Sequence, residues 1–126
     1  MKKLFTHELY IKVSRNTFRI SSATSPGMEQ AFTPKQPFTT QRLLVGQFTV
    51  AQDCLRQAIK SMAGKGWFPP TVVAVLHPLE LIDGGLSEVE ERVFRELALG
   101  AGARKVALWT GRELGPEEIT NLLKDA

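Results

Sequence analysis

Thr71-Val72-Val73-Ala74-Val75-Leu76 is a continuous β-branched and apolar run, and Arg104-Lys105-Val106-Ala107-Leu108-Trp109, apolar from Val106 onward, reads as a second covered strand further along the chain. Strands without polar alternation are covered on both faces, as in parallel sheets. Between the two runs, Ser87 and Glu90 have the spacing of a capping box, and Leu86, Val89, Val93, Leu97 and Ala98 make an apolar helical stripe over about Glu88 to Leu99. Strand, helix, strand with connections this short closes as a right-handed parallel crossover. The chain must therefore be an α/β domain with Thr71–Leu76 at the centre of its sheet.

The flanking segments extend that core. Leu9, Ile11 and Val13 alternate with polar neighbours, with Tyr10 on the opposite face, and Phe18 and Ile20 alternate after a turn at Ser14 to Asn16. That pattern predicts an antiparallel hairpin over the first 23 residues. Residues 24–40 hold Pro26, Pro34 and Pro37 and no sustained period, so they read as a long loop with room for a short edge strand around Glu29 to Phe32. Leu43 to Phe48 reads as the third strand, or an extended approach to a helix. The helix follows from about Val50 to Ala63, with Thr49 and Gln52 as its capping box, a stripe of Val50, Cys54, Leu55, Ala58, Ile59 and Met62, and Gly64 and Gly66 as its stop. Gly115 and Pro116 open a last helix with Glu117 and Glu118 in its first turn and Ile119, Leu122 and Leu123 facing inward. The expected order is β-β-β-α-β-α-β-α in a mixed sheet of about five strands.

The 126 residues suit one domain, 1–126, and 43% apolar with 23% charged residues is the composition of a folded core. No run approaches the roughly 18 apolar residues of a membrane span. Thr6, His7 and Glu8 interrupt what would have to be a signal-peptide core after Met1-Lys2-Lys3. A single cysteine, Cys54, fits a reducing compartment and reads as a core thiol, so a cytoplasmic location is expected.

Charge is unevenly spread. Residues 1–75 carry ten Lys/Arg against three acids, a net +7, whereas residues 76–126 carry six against ten, a net −4. Such polarity can steer a protein partner or promote self-association. Lys12, Arg15 and Arg19 form a candidate basic patch, and with Tyr10, Phe18 and Phe32 as stacking aromatics the basic half supports an alternative reading as a small nucleic-acid-binding domain. His77, Glu80 and Asp83 lie just past the carboxyl end of the central strand, where open α/β sheets place ligands. They lack the spacing of a metal motif, and a solvated loop explains them more simply. A Walker loop, nucleophile elbow, CxxC pair and HExxH helix are absent from the sequence.

Gly46-Gln47-Phe48-Thr49-Val50, Pro70-Thr71-Val72-Val73-Ala74-Val75, Ser87-Glu88-Val89-Glu90-Glu91-Arg92 and Ala101-Gly102-Ala103-Arg104-Lys105-Val106-Ala107-Leu108 occur in an order that resembles part of the first domain of the MreB-type rod-shape-determining bacterial actin homologues. The resemblance covers about half the chain, Val45 to Leu108, and implies the actin-like, ribonuclease-H-like fold. It places Glu90 at the position of the family's catalytic glutamate, although Glu90 is more simply the return half of the cap with Ser87. The departures are as informative. The resemblance implies an Asp-x-Gly-Thr phosphate loop in the first hairpin, where this chain reads Ile11-Lys12-Val13-Ser14-Arg15-Asn16-Thr17. Lys12 stands where the acid would be, and this also disfavours a metal-dependent nuclease of the same topology, although Glu8 precedes it. No glycine lets backbone N–H groups approach a phosphate.

The expectation is therefore a non-catalytic actin-like domain that has lost ATP binding, uses no cofactor or metal, and acts through protein contacts, with an actin-like filament, in the context of cell shape, or with itself. His77, Glu80, Asp83 and Glu90 would be its vestigial cleft. A third reading, an enzyme using His77 with Asp83 or Glu90, requires those side chains to converge on one pocket.

Overall fold

A computed structural model describes residues 6–63 and 71–126. The expected helix stop at Gly64 and Gly66, the Pro69-Pro70 pair and the first five residues lie outside the described residues. Five strands form one mixed sheet in the order β3-β2-β1-β4-β5. β1 (Thr6–Ser14) pairs antiparallel with β2 (Thr17–Ser22), and β2 pairs antiparallel with β3 (Ser25–Phe32). β4 (Thr71–Pro78) runs parallel to both β1 and β5 (Ala103–Leu108). The helices are α1 (Phe48–Ala63), α2 (Glu88–Gly100) and α3 (Pro116–Lys124).

The pleat divides the core in two. Leu9, Ile11, Val13, Phe18, Ile20, Val72, Ala74 and Leu76 face α1 and α2, whereas Tyr10, Val73, Val75 and Ala107 face α3, where Ile119 and Leu123 close over them. Adjacent residues of a strand point to opposite faces, so the uninterrupted apolar run of β4 is what a strand between two helical layers requires. The expected centre of the sheet and its crossovers are found.

The third strand is not where the sequence pattern puts it. Leu43 to Gln47 forms no strand and leads straight into α1, the other reading its pattern allowed; the edge strand expected around Glu29 to Phe32 is present and longer, Ser25–Phe32, and the rest of the loop follows it. The reason is local bonding. Leu44 and Val45 are buried plugs of the core, while Phe38 O accepts from the N–H groups of Gly46 and Gln47 and Leu44 O accepts from Thr39 Oγ1. With those groups satisfied inside the loop, the segment needs no neighbouring strand. Conversely, β3 is an exposed edge held by backbone pairing, and its sequence carries no alternation to show that it starts as early as Ser25.

Two helical expectations also shift. α1 begins at Phe48, which places Thr49 within the first turn rather than at a cap. On α2 the buried positions are Phe94, Leu97 and Ala98, and Val89 is 72% exposed. The Ser87–Glu90 capping box is present in both directions.

Candidate functional site

β1, β4 and β5 end at the same edge of the sheet, and three segments leave from it: the hairpin turn after Ser14, the loop after Pro78 and the loop after Leu108. In open α/β sheets this edge is where ligands bind.

The hairpin turn is closed upon itself. Asn16 sits in the left-handed region (φ 54°), which asparagine tolerates better than most residues. Its N–H donates to Thr39 Oγ1 at 2.9 Å, and its Oδ1 accepts from the Thr39 N–H at 2.8 Å. The neighbouring N–H, that of Arg15, donates to Glu80 Oε2 at 2.9 Å, while Arg15 Nε reaches Glu80 Oε1 at 3.1 Å. Two successive backbone donors, the groups with which such a turn would hold a phosphate, are thus engaged by a threonine hydroxyl and an internal carboxylate.

Beside the turn, Lys12 Nζ lies 2.7 Å from Glu29 and 3.3 Å from Glu113, and over the Tyr10 ring at 5.9 Å from its centroid. Burial alone would lower its pKa, but the two carboxylates outweigh that and hold the ammonium charged. Arg19, opposite Lys12 on β2, is exposed and donates to Ser14 Oγ at 3.2 Å. The candidate basic patch is therefore largely neutralised: Lys12 and Arg15 are each paired with acids, and part of the +7/−4 polarity cancels within the molecule.

On the α3 side of the same edge, a buried chain of hydrogen bonds replaces the expected cleft. His77 is 2% exposed and lies 2.6 Å through Nδ1 from Tyr10 Oη and 2.9 Å through Nε2 from Gly111 O. A carbonyl can only accept, so Nε2 carries the proton and Nδ1 accepts from the tyrosine hydroxyl. Tyr10 Oη in turn accepts from the Leu114 N–H at 3.1 Å. Every polar atom of the chain is satisfied with a neutral imidazole. Burial, and secondarily the Lys12 charge, lowers the His77 pKa against the Gly111 bond that raises it, and burial raises that of Tyr10. The 109–115 loop is shaped to meet this chain: Trp109 Nε1 donates to Arg112 O at 2.8 Å, and Gly111 adopts φ 140°. A Cβ there would meet the Trp109 ring at 3.2 Å.

The remaining candidates lie apart from His77. Glu80 is the partner of Arg15; Asp83 is exposed on the loop. Glu90 accepts from the Ser87 N–H at 3.0 Å while its own N–H donates to Ser87 Oγ at 3.2 Å. His77 faces α3 whereas α2 covers the other face, so the four residues expected to share a cleft do not converge. The cavity that Glu90 borders has a volume of ≈ 40 Å³ and is lined by Leu44, Leu81, Leu86, Val93 and Phe94. That is room for about one water. Glu8, the acid nearest a nuclease position, accepts from Thr120 Oγ1 at 2.7 Å. Among the described residues no cluster of three or more His, Cys, Asp or Glu could hold a metal ion, and no helix is long and apolar enough to cross a membrane.

Sequence pattern missed Tyr10, Asn16, Thr39, Gly111, Glu113 and Leu114 as members of this edge. Only the placement of Tyr10 opposite Ile11 hinted at them.

The fold defines a small α/β protein with a five-stranded mixed sheet and a self-filled carboxyl edge. No family model matches the chain. It is 30% identical over 102 residues to the uncharacterized protein YjaA of Escherichia coli (strain K12), a match that covers 77% of this chain and 78% of that protein. The chain belongs to the YjaA family.

Proposed function

We propose that this protein is a degenerate actin-like domain that has lost nucleotide binding and acts through protein contacts, with an actin-like filament in the context of cell shape or with a second copy of itself. The sheet order β3-β2-β1-β4-β5, an antiparallel start followed by parallel crossovers, is compatible with the fold the MreB-type resemblance implies. One observation carries the functional half: Glu80 and Thr39 occupy the backbone donors of Arg15 and Asn16, where the resemblance implies a phosphate loop. The Glu80 carboxylate already bound to the Arg15 N–H competes with and repels an incoming phosphate. Lys12 replaces the aspartate through which the resemblance implies a metal-bound water, and Glu90 serves its helix as a cap. The paired state of Lys12 and Arg15 also weakens the case for nucleic-acid binding, which needs cations free for phosphates. Calorimetric titration with ATP and magnesium tests the proposal: the account expects no saturable heat, and a Kd tighter than about 10 μM, roughly −7 kcal/mol, overturns it.

A further inference from the structure

Residues 110–113 of the loop after β5 are exposed, and only Leu114, 7% exposed, packs into the apolar cluster beneath α3. Polar bonds more than packing therefore hold this segment to the sheet. Three of them converge on neighbouring side chains of one sheet face: Gly111 O accepts from His77 Nε2 at 2.9 Å, the Leu114 N–H donates to Tyr10 Oη at 3.1 Å, and Glu113 pairs with Lys12 Nζ at 3.3 Å. The Glu113 side chain is 71% exposed, so water and salt weaken the third contact. The ends of the segment are anchored separately. The Trp109 N–H donates to Leu76 O at 2.9 Å, and the Gly115 N–H donates to Glu118 Oε1 at 3.0 Å at the start of α3.

The two buried attachments are complete in one protonation state alone. Tyr10 Oη accepts from the Leu114 N–H and gives its own hydrogen to the neutral His77 Nδ1, 2.6 Å away. Once Nδ1 is protonated, Oη faces two donors, the imidazolium and the Leu114 N–H, and its hydrogen has lost its acceptor. Withdrawal of Leu114 lets water accept that hydrogen and hydrate an imidazolium that is otherwise 2% exposed.

The charges around His77 do not compensate the added proton in place. β1 presents Lys12, a second cation, and both Glu29 of β3 and Glu113 of the loop are drawn to it. Glu8 of β1 is bonded to Thr120 of α3, and Arg19 of β2 is exposed and donates to Ser14. Glu118 of α3 is paired with Arg112 of the loop, and Glu80, beyond the end of β4, is held by Arg15. Each of these carboxylates already has a partner. Burial first, and then Lys12, lower the His77 pKa against the Gly111 bond and Glu113, so protonation belongs to mild acid, below the ordinary 6.5.

We propose that protonation of His77 releases residues 110–114 from the sheet while the strands and helices stay folded, so that the Tyr10–His77 pair is a proton-operated latch. Trp109 and Gly115 remain as the fixed ends, and the released segment bares Leu114 together with the Tyr10 and His77 side chains beneath it.

Nuclear magnetic resonance of the isotopically labelled chain between about pH 7.5 and about pH 4.5 tests the latch. The ring nitrogens of His77 report its protonation, and amide hydrogen exchange, corrected for the intrinsic effect of pH, reports Leu114 against β4. As His77 titrates, the protection of the Leu114 amide should fall at least about tenfold while the amides of β4 keep theirs. His77→Gln can accept from Tyr10 and donate to Gly111 without titrating, so its Leu114 protection should not change with pH. Tyr10→Phe should leave Leu114 poorly protected at every pH. Leu114 and β4 losing protection together, Leu114 protection unchanged through the titration, His77 staying neutral until the sheet unfolds, or the same pH dependence in His77→Gln would each overturn the latch. The wild-type titration alone decides between these outcomes if either variant fails to fold.

Discussion

Tyr10 and His77 are joined by a 2.6 Å hydrogen bond between Oη and Nδ1 across the neighbouring parallel strands β1 and β4, with the two rings stacked 5.8 Å apart. The Gly111 carbonyl at Nε2 sets the Nε2-protonated imidazole, whose Nδ1 accepts from Tyr10, and through Gly111 and Leu114 the pair ties the 109–115 loop to the sheet. Protonation of His77 would turn Nδ1 into a donor and leave the Tyr10 hydroxyl proton without its acceptor.

Stability is therefore expected to fall in mild acid. The folded-state pKa of His77 lies below its ordinary value of 6.5, so the unfolded chain binds more protons in the interval between the two. The His77 contribution is complete above pH 6.5 and is lost as pH falls through the folded-state pKa. Thermal melts between about pH 7.5 and about pH 5 should show a falling Tm, and His77→Gln should flatten that dependence. For Tyr10 the sign reverses: its raised pKa removes stability as pH climbs above 10.

Tyr10→Phe keeps the ring and deletes the hydroxyl, leaving His77 Nδ1 and the Leu114 N–H unpaired in a buried site. A loss of about 1–3 kcal/mol in urea unfolding is expected, with faster hydrogen exchange at the Leu114 amide. An unchanged midpoint would show that water replaces the hydroxyl.

Glu90 and Ser87 separate a cap from a catalytic residue. Glu90→Gln retains a group able to accept from the Ser87 N–H and should cost less than about 0.5 kcal/mol, whereas Ser87→Ala should cost about 1 kcal/mol. Chemical denaturation of the two variants checks the ranking, and a large loss in Glu90→Gln alone would contradict it.

Gly111→Ala should cost about 1–3 kcal/mol, because φ 140° strains any side chain and the added Cβ presses on Trp109. Trp109 fluorescence reports whether the loop shifts as it does so.

What the sequence reveals here follows from how local its cause is. The covered strands β4 and β5, the Ser87–Glu90 cap and the Gly115-Pro116 start of α3 are written in neighbouring residues, so pattern and propensity find them. Leu44 and Val45 mislead because burial gives a plug and a strand the same apolar signature, and only the Glu29–Phe32 part of β3 is legible because an edge strand held by its backbone needs no alternation. The filled edge was beyond reach for a different reason. Tyr10 meets His77 across 67 residues and Leu114 across 104, and Arg15 meets Glu80 across 65, pairings that only the folded sheet order brings together.

The amide resonances of Arg15 and Asn16 test most directly the claim that the two successive donors of the hairpin turn are already engaged. In a titration of the isotopically labelled chain with ATP and magnesium, the account predicts that both resonances stay in place, while Glu80→Ala without nucleotide moves that of Arg15. A saturable shift of both amides in the wild-type chain on adding nucleotide would contradict it.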